Sequence, residues 1–453
     1  MSTLPKGWVS TTVKSLAGTS GLFVDGDWVE SKDQDPNGDI RLLQLADIGD
    51  GVFLDKSDRW INEEAFARLR CTELGTGDVL IARMPDPLGR ACLMPSLEQR
   101  CVTVVDVAAL RVDPQLVDNR WVMHTVNSPQ LRAEISAQAS GTTRKRISRG
   151  NLGGLQIPLP PESEQKRIAD KLDSVLTRVD ALNTRLARVA LILKRFRQSV
   201  LAAATSGEMT ADWRGRAQSN WPTLSAEQVC AKVQSGGTPK AGFLDAGIPF
   251  LKVYNIVDQK VAFDYKPQYV SAEVNNTELR KSQVQPGDVL MNIVGPPLGK
   301  VAIVPADHST WNINQAITLF RPSEQISSQW IYFVLCEGTP IREVLNRTKG
   351  SVGQVNISLS QCRAFELPVP PVDEQAEIAR RVEILFAFAD RLESRLQAAQ
   401  AATERLTPAM LSKAFRGELV PQDPFDEPAS DLLRRLQHEV PSTSTNHRRT
   451  SAA

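Results

Sequence analysis

The sequence predicts an α+β protein built as a tandem internal duplication, in which each of two similar globular domains is followed by a long helix. Two observations lead to this prediction. Residues 155–210 align without a gap to residues 365–420, so that every position matches the one 210 residues later. Both segments also place apolar residues at alternating spacings of four and three, which is the heptad pattern of a coiled coil. Such a repeat indicates two related halves with pseudo-two-fold symmetry.

Each repeat contains the start and stop signals of one long helix. A pair of prolines stops an extended segment, and Ser163 and Asp373 just after them are the predicted N-caps. Gly207 and Gly417 are the predicted C-terminal stops. Pro408 is expected to kink or end the second helix early, because it lacks a backbone N–H.

The first helix is predicted over 163–204, roughly 60 Å at 1.5 Å per residue. The predicted coiled-coil seam of both helices consists of Ile168, Leu172, Val175, Val179, Leu182, Leu186, Val189, Leu193, Ile378, Val382, Leu385, Leu392 and Leu396. The pattern weakens at Ala389, Ala399 and Thr403.

The alternative is two unrelated amphipathic helices, each packed on its own domain. The ungapped match favours helices that pair as a spacer and present repeated outer faces to a repeated partner.

The repeats divide the chain into five predicted segments. The first and second globular domains cover 1–154 and 211–364, the two repeat helices cover 155–210 and 365–423, and a partly disordered tail covers 424–453. Within this tail a short capped helix is predicted over 430–436. The length of 453 residues fits about three structural units.

Short motifs recur between the two globular domains at nearly the same interval. A strand is predicted at 40–48 with a counterpart at 248–256, and a turn leading into a buried strand at 75–81 has a counterpart at 286–291. Further predicted elements of the first domain are a strand within 101–112 and helical structure over 117–139.

Composition limits the possible classes of protein. The net charge is +1, so binding of nucleic acid must use local basic patches rather than a basic domain. The sequence contains no apolar run long enough for a membrane span and no signal-peptide pattern at the N-terminus. Six cysteines without CxxC spacing are expected to be free thiols, which fits a reducing, cytoplasmic location.

Catalytic motifs are absent from the sequence. It has no methyltransferase tetrapeptide, and the segment 295–301 lacks both the spacing and the Ser or Thr of a nucleotide-binding loop. The four histidines have no metal-ligand spacing. Asp78 and Asp288 occupy matched turns, where capping of the turn is favoured over catalysis. A chain of this size without a catalytic site suggests a recognition or scaffolding subunit.

Basic and amide side chains at matched places are the candidates for contact with DNA. The loop 141–149 is rich in Gly, Thr and Arg, and arginine can bind phosphates or a guanine edge. Gln and Asn at the equivalent place in the second domain can read adenine. Lys252 is matched with Gln44 of the first domain. The candidates are Arg83, Arg90, Arg144, Lys145, Arg146, Arg149 and, in the second domain, Lys240, Lys252, Asn292, Lys300, Arg347, Lys349, Gln354 and Asn356, with Asn292 and Lys300 paired to Arg83 and Arg90. The alternative is that these residues lie in solvated loops.

Four stretches resemble a known family. They are 157–161 (IPLPP), 164–169 (EQKRIA), 193–201 (LKRFRQSVL) and 413–419 (KAFRGEL). These stretches are similar to the specificity subunits of type I restriction-modification enzymes, and they look closest to the K (type IA) family.

This resemblance implies a function. The globular domains would be target recognition domains, each reading one half of an asymmetric bipartite site in double-stranded DNA. The helices would form an antiparallel coiled coil that separates the domains and docks two modification subunits. Those partners would methylate adenine N6 with S-adenosylmethionine, and restriction subunits would use ATP and magnesium to translocate and cleave DNA. The chain itself is then expected to be non-catalytic and to hold no cofactor.

Two other classes of function stay open at this stage. One is a self-sufficient DNA-modifying enzyme, which would need a catalytic motif. The other is a coiled-coil structural tether without DNA specificity, which a gel-shift with the partner subunit would distinguish.

Overall fold

The computed structural model describes residues 4–84, 87–141, 144–215, 220–347 and 356–438. The chain forms two compact units. The first unit contains Met1–Leu186 together with Ala398–Ala453, and the second contains Ala187–Gln397. The division cuts both long helices near their middles, so each unit consists of one globular domain, the start of one helix and the end of the other.

The first globular domain is a mixture of short strands and helices, followed by the first long helix. Its strands are β1 Val9–Thr12, β2 Leu22–Asp25, β3 Ile40–Leu43, β4 Trp60–Ile61, β5 Val79–Ala82, β6 Ala91–Leu93, β7 Arg100–Thr103, β8 Val107–Arg111 and β9 Gln156–Leu159. Its helices are α1 Glu63–Leu69, α2 Asn119–Val126, α3 Pro129–Ala137 and α4 Arg149–Gly154, and the long helix is α5 Glu162–Thr205.

The second globular domain repeats this order. Its strands are β10 Thr223–Ser225, β11 Lys232–Ser235, β12 Ile248–Leu251, β13 Ile256–Val257, β14 Lys260–Val261, β15 Tyr269–Val270, β16 Gln283–Val284, β17 Val289–Asn292, β18 Val301–Ile303, β19 Trp311–Ile313, β20 Ile317–Arg321 and β21 Glu366–Pro368. Its helices are α6 Ala226–Val229, α7 Ala272–Asn276, α8 Ser328–Glu337, α9 Thr339–Arg347 and α10 Leu359–Arg363, and they precede the long helix α11 Val372–Ala414 and the C-terminal helix α12 Ala429–Gln437.

The sheets of the two domains have related topologies, and the second sheet of the second domain has one additional strand. In the first domain an antiparallel sheet has the order β2-β8-β5-β6, and a second sheet, β4-β3-β7, contains a parallel pair between β3 and β7. The second domain has β11-β20-β17-β18 and β15-β12-β19-β16, with β12 parallel to β19. The central strands β5 and β17 are apolar and buried along their length, as expected for strands covered on both faces.

Several predicted elements are shorter than expected. The predicted strand 40–48 ends at Leu43 and continues as a short 3-10 helix, and its counterpart ends in the same way at Leu251. The stretch 101–112 contains two strands, and 117–139 contains two helices separated at Pro129. In each case the apolar periodicity of the run does not show the break.

The signals at the helix ends are correct in part. Each long helix begins directly after its prolines, so that the carbonyl of Pro161 accepts from Gln165 N at 2.9 Å and Pro371 does the same for Gln375. The predicted N-caps at Ser163 and Asp373 are therefore wrong, because both residues lie inside the first turn. The glycine stops hold: Gly207 and Gly417 have φ of 79° and 71° just beyond the helices. Helix α11 continues through Pro408 without ending.

The predicted seam has buried ends and an exposed middle. Ile168, Leu172, Val179 and Leu193 are buried on α5, and Ile378, Val382 and Leu396 are buried on α11. Val175, Leu186, Leu385 and Leu392 are half-buried. Leu182 and Val189 remain 43% and 39% exposed. The side chains at the helix starts belong to the cores of the globular domains, so heptad spacing here combines packing on a domain with pairing of helices.

Small residues do not weaken the packing of α11 at two of the positions where this was expected. Ala389 is fully buried and Thr403 is 7% exposed. Within the second unit, Val200 and Ala204 near the end of α5 share a core with Ile378 and Val382 at the start of α11, which is an antiparallel arrangement. Small side chains are compatible with this packing because they let two helices approach closely.

A repeated Glu-Gln pair fixes the start of each long helix on its own globular domain. Gln165 donates to the Pro160 carbonyl at 3.0 Å and accepts from Asp118 N at 3.1 Å. Gln375 makes the same bonds, at 3.0 Å to the Pro370 carbonyl and at 2.9 Å from Ser327 N, and adds one to the Gln325 carbonyl at 2.8 Å. Both glutamines are buried, so each satisfies backbone groups that water does not reach.

The neighbouring glutamates both accept from a tryptophan but differ in their other oxygen. Trp8 Nε1 donates to Glu164 at 2.9 Å, and Trp221 Nε1 donates to Glu374 at 3.0 Å. The second oxygen of Glu374 also accepts from Thr210 at 2.7 Å and pairs with Arg214. The second oxygen of Glu164 is buried and has no partner among the described residues. Burial accordingly raises the pKa of the Glu164 carboxyl above its usual range.

The segment after α11 packs on the first unit. Residues 430–436 lie within α12, whose Leu432 and Leu436 join the core of the first globular domain. Asp426 pairs with Arg167 near the start of α5 at 2.5 Å. Residues 439–453, which include the part of the tail predicted to be disordered, lie outside the described residues.

Candidate nucleic-acid interface

A cluster of charged side chains lies where β2, β5 and the loop before α4 meet in the first globular domain. Arg83 pairs with Asp25 at 2.8 Å, and Arg149 lies 3.9 Å from the same carboxylate. Arg146 pairs with Asp106 at 3.3 Å. Arg83 is thus brought together with Arg146 and Arg149, from which it is distant in sequence, around two aspartates.

The backbone frame of this cluster is formed by main-chain hydrogen bonds. Arg83 N donates to the Asp106 carbonyl at 2.9 Å, and Ile147 N donates to the Arg83 carbonyl at 3.2 Å. A bridge between Ser140 and Arg146 closes the loop that carries the basic residues. Arg144 and Lys145 are exposed at the tip and have no ion pair within the part of the chain that the structure describes. They are exposed cations next to the cluster.

Two candidates are framework residues rather than contacts. Arg83 is 2% exposed and donates to the carbonyls of Ile147 and Val105 besides pairing with Asp25. Asn292 is 1% exposed and bonds the Pro297 carbonyl and the Lys300 amide. Both side chains are buried and bonded within the domain, so in this structure neither reaches the surface where DNA would contact it.

The pairing of Arg83 with Asn292 is also shifted by one residue. Ile293 N donates to the Ala316 carbonyl and Ile357 N donates to the Ile293 carbonyl, both at 2.9 Å. These are the bonds that Arg83 makes in the first domain, so its counterpart is Ile293. Arg90 and Lys300 do correspond, because their carbonyls accept equivalent strand bonds.

The match of Lys252 with Gln44 agrees with the local structure. Each residue precedes a short 3-10 helix, and its backbone N donates to a side chain three residues later, Asn255 at 3.0 Å and Asp47 at 2.7 Å. The Lys252 ammonium lies 4.2 Å from the centre of the Phe243 ring, a distance typical of a cation–π contact. Its charge is therefore partly engaged inside the domain.

The remaining candidates lie on the surface or outside the described residues. Arg347 is exposed at the end of α9, and Asn356 is exposed before α10. Lys240 is exposed, and its backbone N donates to Glu278. Lys349 and Gln354 lie outside the described residues.

The matched aspartates of the turns have a structural role. Asp78 accepts both Nε and Nη2 of Arg111 at 2.7 Å, and Asp288 accepts the same atoms of Arg321 at 2.9 and 2.7 Å. Each also accepts a backbone N–H of its own turn. The capping role expected from the sequence is present, and each buried carboxylate also forms an ion pair with a partly exposed arginine.

No group of side chains within the described residues could hold a metal ion. The cysteines are all free in the structure. None of the described helices is both long enough and apolar enough to cross a membrane.

Removing the two exposed cations of the loop should weaken binding to DNA of every sequence. Arg144→Ala with Lys145→Ala removes two possible phosphate contacts, so the slope of log affinity against log salt should become shallower by about two. Fluorescence anisotropy over a salt series, on the complex with its partner subunits, measures this slope. Lys14→Ala, an exposed cation outside this loop, serves as the control. An unchanged slope in the double variant would show that the loop is only solvated.

Comparisons with known proteins place the chain in a family. The family model described as type I restriction modification DNA specificity domain matches residues 24–191 and again 218–399. The chain is 31% identical over 344 residues to the EcoKI specificity subunit of Escherichia coli (strain K12), covering 72% of each. It is 30% identical over 455 residues to the StySPI specificity subunit of Salmonella potsdam, covering 96% of each. The chain therefore belongs to the family of type I restriction-modification DNA specificity domains.

Solved structures show the same fold. A chain described under "Structural basis underlying complex assembly and conformational transition of the type I R-M system" superposes with a TM-score of 0.74 at 20% identity, covering 92% of this chain and all of that one. The HsdS subunit from Thermoanaerobacter tengcongensis gives 0.57 at 20% identity, covering 92% and 98%. The α+β class and the tandem duplication predicted from the sequence are confirmed.

Proposed function

We propose that this chain is the sequence-recognition subunit of a type I restriction-modification complex and reads an asymmetric bipartite target in double-stranded DNA. Each globular domain reads one half of the target. One observation carries the proposal: the two domains share one backbone frame, but the same place in that frame holds an arginine–aspartate cluster in the first and neutral side chains in the second. Two domains with the same backbone frame but different side chains are suited to read two different half-sites of one DNA target.

The chemistry belongs to partner subunits in this proposal. Modification subunits supply S-adenosylmethionine and methylate adenine N6, and restriction subunits use ATP and magnesium to translocate and cleave DNA. The support is the family of the chain together with the structural use of Asp78 and Asp288, which the buried ion pairs already occupy. The specificity subunit selects the site and holds the partners on it.

Mapping of methylated adenines in cells that carry the complete system tests the proposal. The expected result is one bipartite, non-palindromic motif, which disappears when this chain is deleted. A complex that methylates without sequence preference would support the structural tether instead. Methyl transfer by the purified chain alone would support the self-sufficient enzyme.

We propose further that two modification subunits dock on the long helices and that the two docking faces differ. On α11, Ile384 and Phe388 are 56% and 49% exposed and lie four residues apart, on one face of the helix. Their counterparts on α5 are Ser174 and Arg178, both exposed. Large exposed apolar side chains on one face suit a protein partner, and only one of the repeats has them at these positions.

Charge on this apolar face should remove one of the two partners. Ile384→Asp with Phe388→Asp places two carboxylates where apolar side chains would be buried, so the affinity of that partner should fall tenfold or more, roughly the effect of losing one central apolar contact. Native mass spectrometry should show two modification subunits on the wild type and one on the variant. Ser394→Asp with Gln397→Asp adds two carboxylates to exposed positions on a different side of α11 and should keep both partners. Loss of both partners, or of neither, would contradict unequal docking.

A further inference from the structure

The charged cluster of the first domain has a neutral counterpart in the second domain. Around this cluster the two frames correspond residue by residue with an offset of 210, because β2 with β8 and β11 with β20 have the same register. At the five positions of the cluster the first domain has Asp25, Arg83, Asp106, Arg146 and Arg149, and the second has Ser235, Ile293, Ala316, Asn356 and Leu359. Every charge of the cluster is replaced, whereas the backbone bonds around it are kept.

An amide side chain takes the exposed place in this neutral cluster. Gln315 is the second residue after β19 and is exposed. Its counterpart in the first domain is Val105. Gln315 Oε1 accepts from the Thr238 hydroxyl at 2.6 Å. The Gln315 Nε2 group has no hydrogen-bond partner among the described residues. The side chain is therefore held by one atom and leaves its donor free.

We infer that Gln315 is a specificity-determining residue that reads an adenine in the half-site of the second domain. The inference rests on the proposed function. A glutamine amide can donate from Nε2 to adenine N7 and accept at Oε1 from the adenine N6 amino group. The carbonyl oxygen has two lone pairs, so it can accept from Thr238 and from adenine at once. Thr238 then acts as a positioning residue, because its hydroxyl fixes which way the amide faces.

The absence of charge in this cluster favours base reading over binding of phosphate. Phosphate contacts in proteins come mainly from Arg and Lys, and they carry no sequence information. Of the described residues at this place, Ser235, Gln315 and Asn356 offer only neutral donors and acceptors. Asn356 is exposed on the next segment, which Ile357 joins to Ile293 at 2.9 Å. The second domain is thus built to discriminate bases at the position where the first domain presents cations.

Replacement of Gln315 by Ala in the complete complex tests the inference. The affinity for the cognate duplex should fall about 10- to 100-fold, the range for loss of one bidentate base contact, and binding to unrelated duplexes should not change. One adenine of the half-site read by the second domain should become degenerate in the map of methylated sites, with the other half-site intact. Thr238→Val should show the same change at smaller size. Gln285→Ala, an exposed glutamine before the opposite end of β17, is the matched control.

A second variant should acquire a new base preference rather than lose affinity. Gln315→Glu keeps the acceptor for Thr238 but replaces the donor by an acceptor, so the preference should move from adenine to cytosine, whose N4 amino group donates. If the wild type has a bipartite motif and Gln315→Ala behaves like Gln285→Ala, the inference is overturned and the proposed function stands. An equal loss on all sequences would assign Gln315 to phosphate and also overturn it. A wild-type complex without a bipartite motif would overturn the proposed function itself.

Discussion

Glu374→Gln should lower the free energy of unfolding of the second unit by about 3 kcal/mol, whereas the equivalent Glu164→Gln should not destabilise the first unit by more than about 1 kcal/mol. The two glutamates occupy the same place in the two repeats and both accept from a tryptophan. Glu374 is buried against Arg214, which is itself only 13% exposed, so removing the charge of Glu374 weakens the ion pair of a largely buried guanidinium.

Glu164, in contrast to Glu374, is a buried carboxyl without an ion pair to an arginine in the described structure. Its second oxygen is buried without a partner in the described structure, and burial raises the pKa of its carboxyl. A carboxyl with a raised folded-state pKa stabilises the fold at pH below its unfolded value, near 4.5, and this contribution is lost as the pH rises through the folded pKa. The amide carries no charge at any pH. The stability of Glu164→Gln relative to the wild type should therefore increase as the pH rises from about 4.5 to neutrality.

Hydrogen exchange of the two helix starts measures this pair of predictions. Peptides over 372–385 should exchange faster in Glu374→Gln, and peptides over 162–175 should not in Glu164→Gln at pH 7. Exchange resolves the two units, which a single melting temperature does not. Equal effects of the two substitutions would show that Arg214 contributes little to stability and that the hydrogen bond from the tryptophan dominates in both units.

Asp288→Asn should produce the second large effect, a loss of roughly 3 to 4 kcal/mol in the second unit. The buried carboxylate accepts two bonds from Arg321 and one from Gln285 N at 2.9 Å. An asparagine can accept on one side only and turns an amino group toward the guanidinium. For a unit of about 200 residues the melting temperature should fall by on the order of 10 °C, which differential scanning calorimetry detects.

Asp78→Asn is the matched change in the first unit, since Asp78 and Arg111 have the same geometry. Both variants, assembled with partner subunits, should still direct methylation below their lowered melting temperatures. Loss of methylation without any change in melting temperature would assign the aspartates a catalytic role.

The duplication was predictable because the repeated helices keep an ungapped register, and the seam was predictable only in part. Heptad spacing reports that one face of a helix is apolar, but it does not distinguish a partner helix from the surface of a domain. Ile168 and Ile378 therefore continue the heptad pattern although they pack into the domain cores. The small side chains of Ala389 and Thr403 predict weak packing in the sequence, which does not show that close approach of a helix buries them.

The candidate interface was predicted better as a region than as a set of residues. The loop with Arg144 and Lys145 is exposed as expected, and Arg146 lies in the same cluster. Burial of Arg83 could not be foreseen, because its partner Asp25 is distant in sequence. Gln315 was missed because it lies in the short turn between β19 and β20, and because its partner Thr238 is distant in sequence. Extension of the 210-residue offset through the globular domains would have pointed to it.

The division of the two long helices between the units has a consequence for synthesis on the ribosome. All residues of the second unit lie in one continuous stretch, so that unit can complete its core as soon as residue 397 has emerged. The first unit is begun first but finished last, because Leu411, Ala414, Phe415 and Leu432 belong to its core. Until those residues are synthesised, apolar side chains of the first globular domain that they would cover stay exposed to solvent. A chaperone that binds exposed apolar segments should therefore be retained on the N-terminal half of the chain longer than on the half made after it.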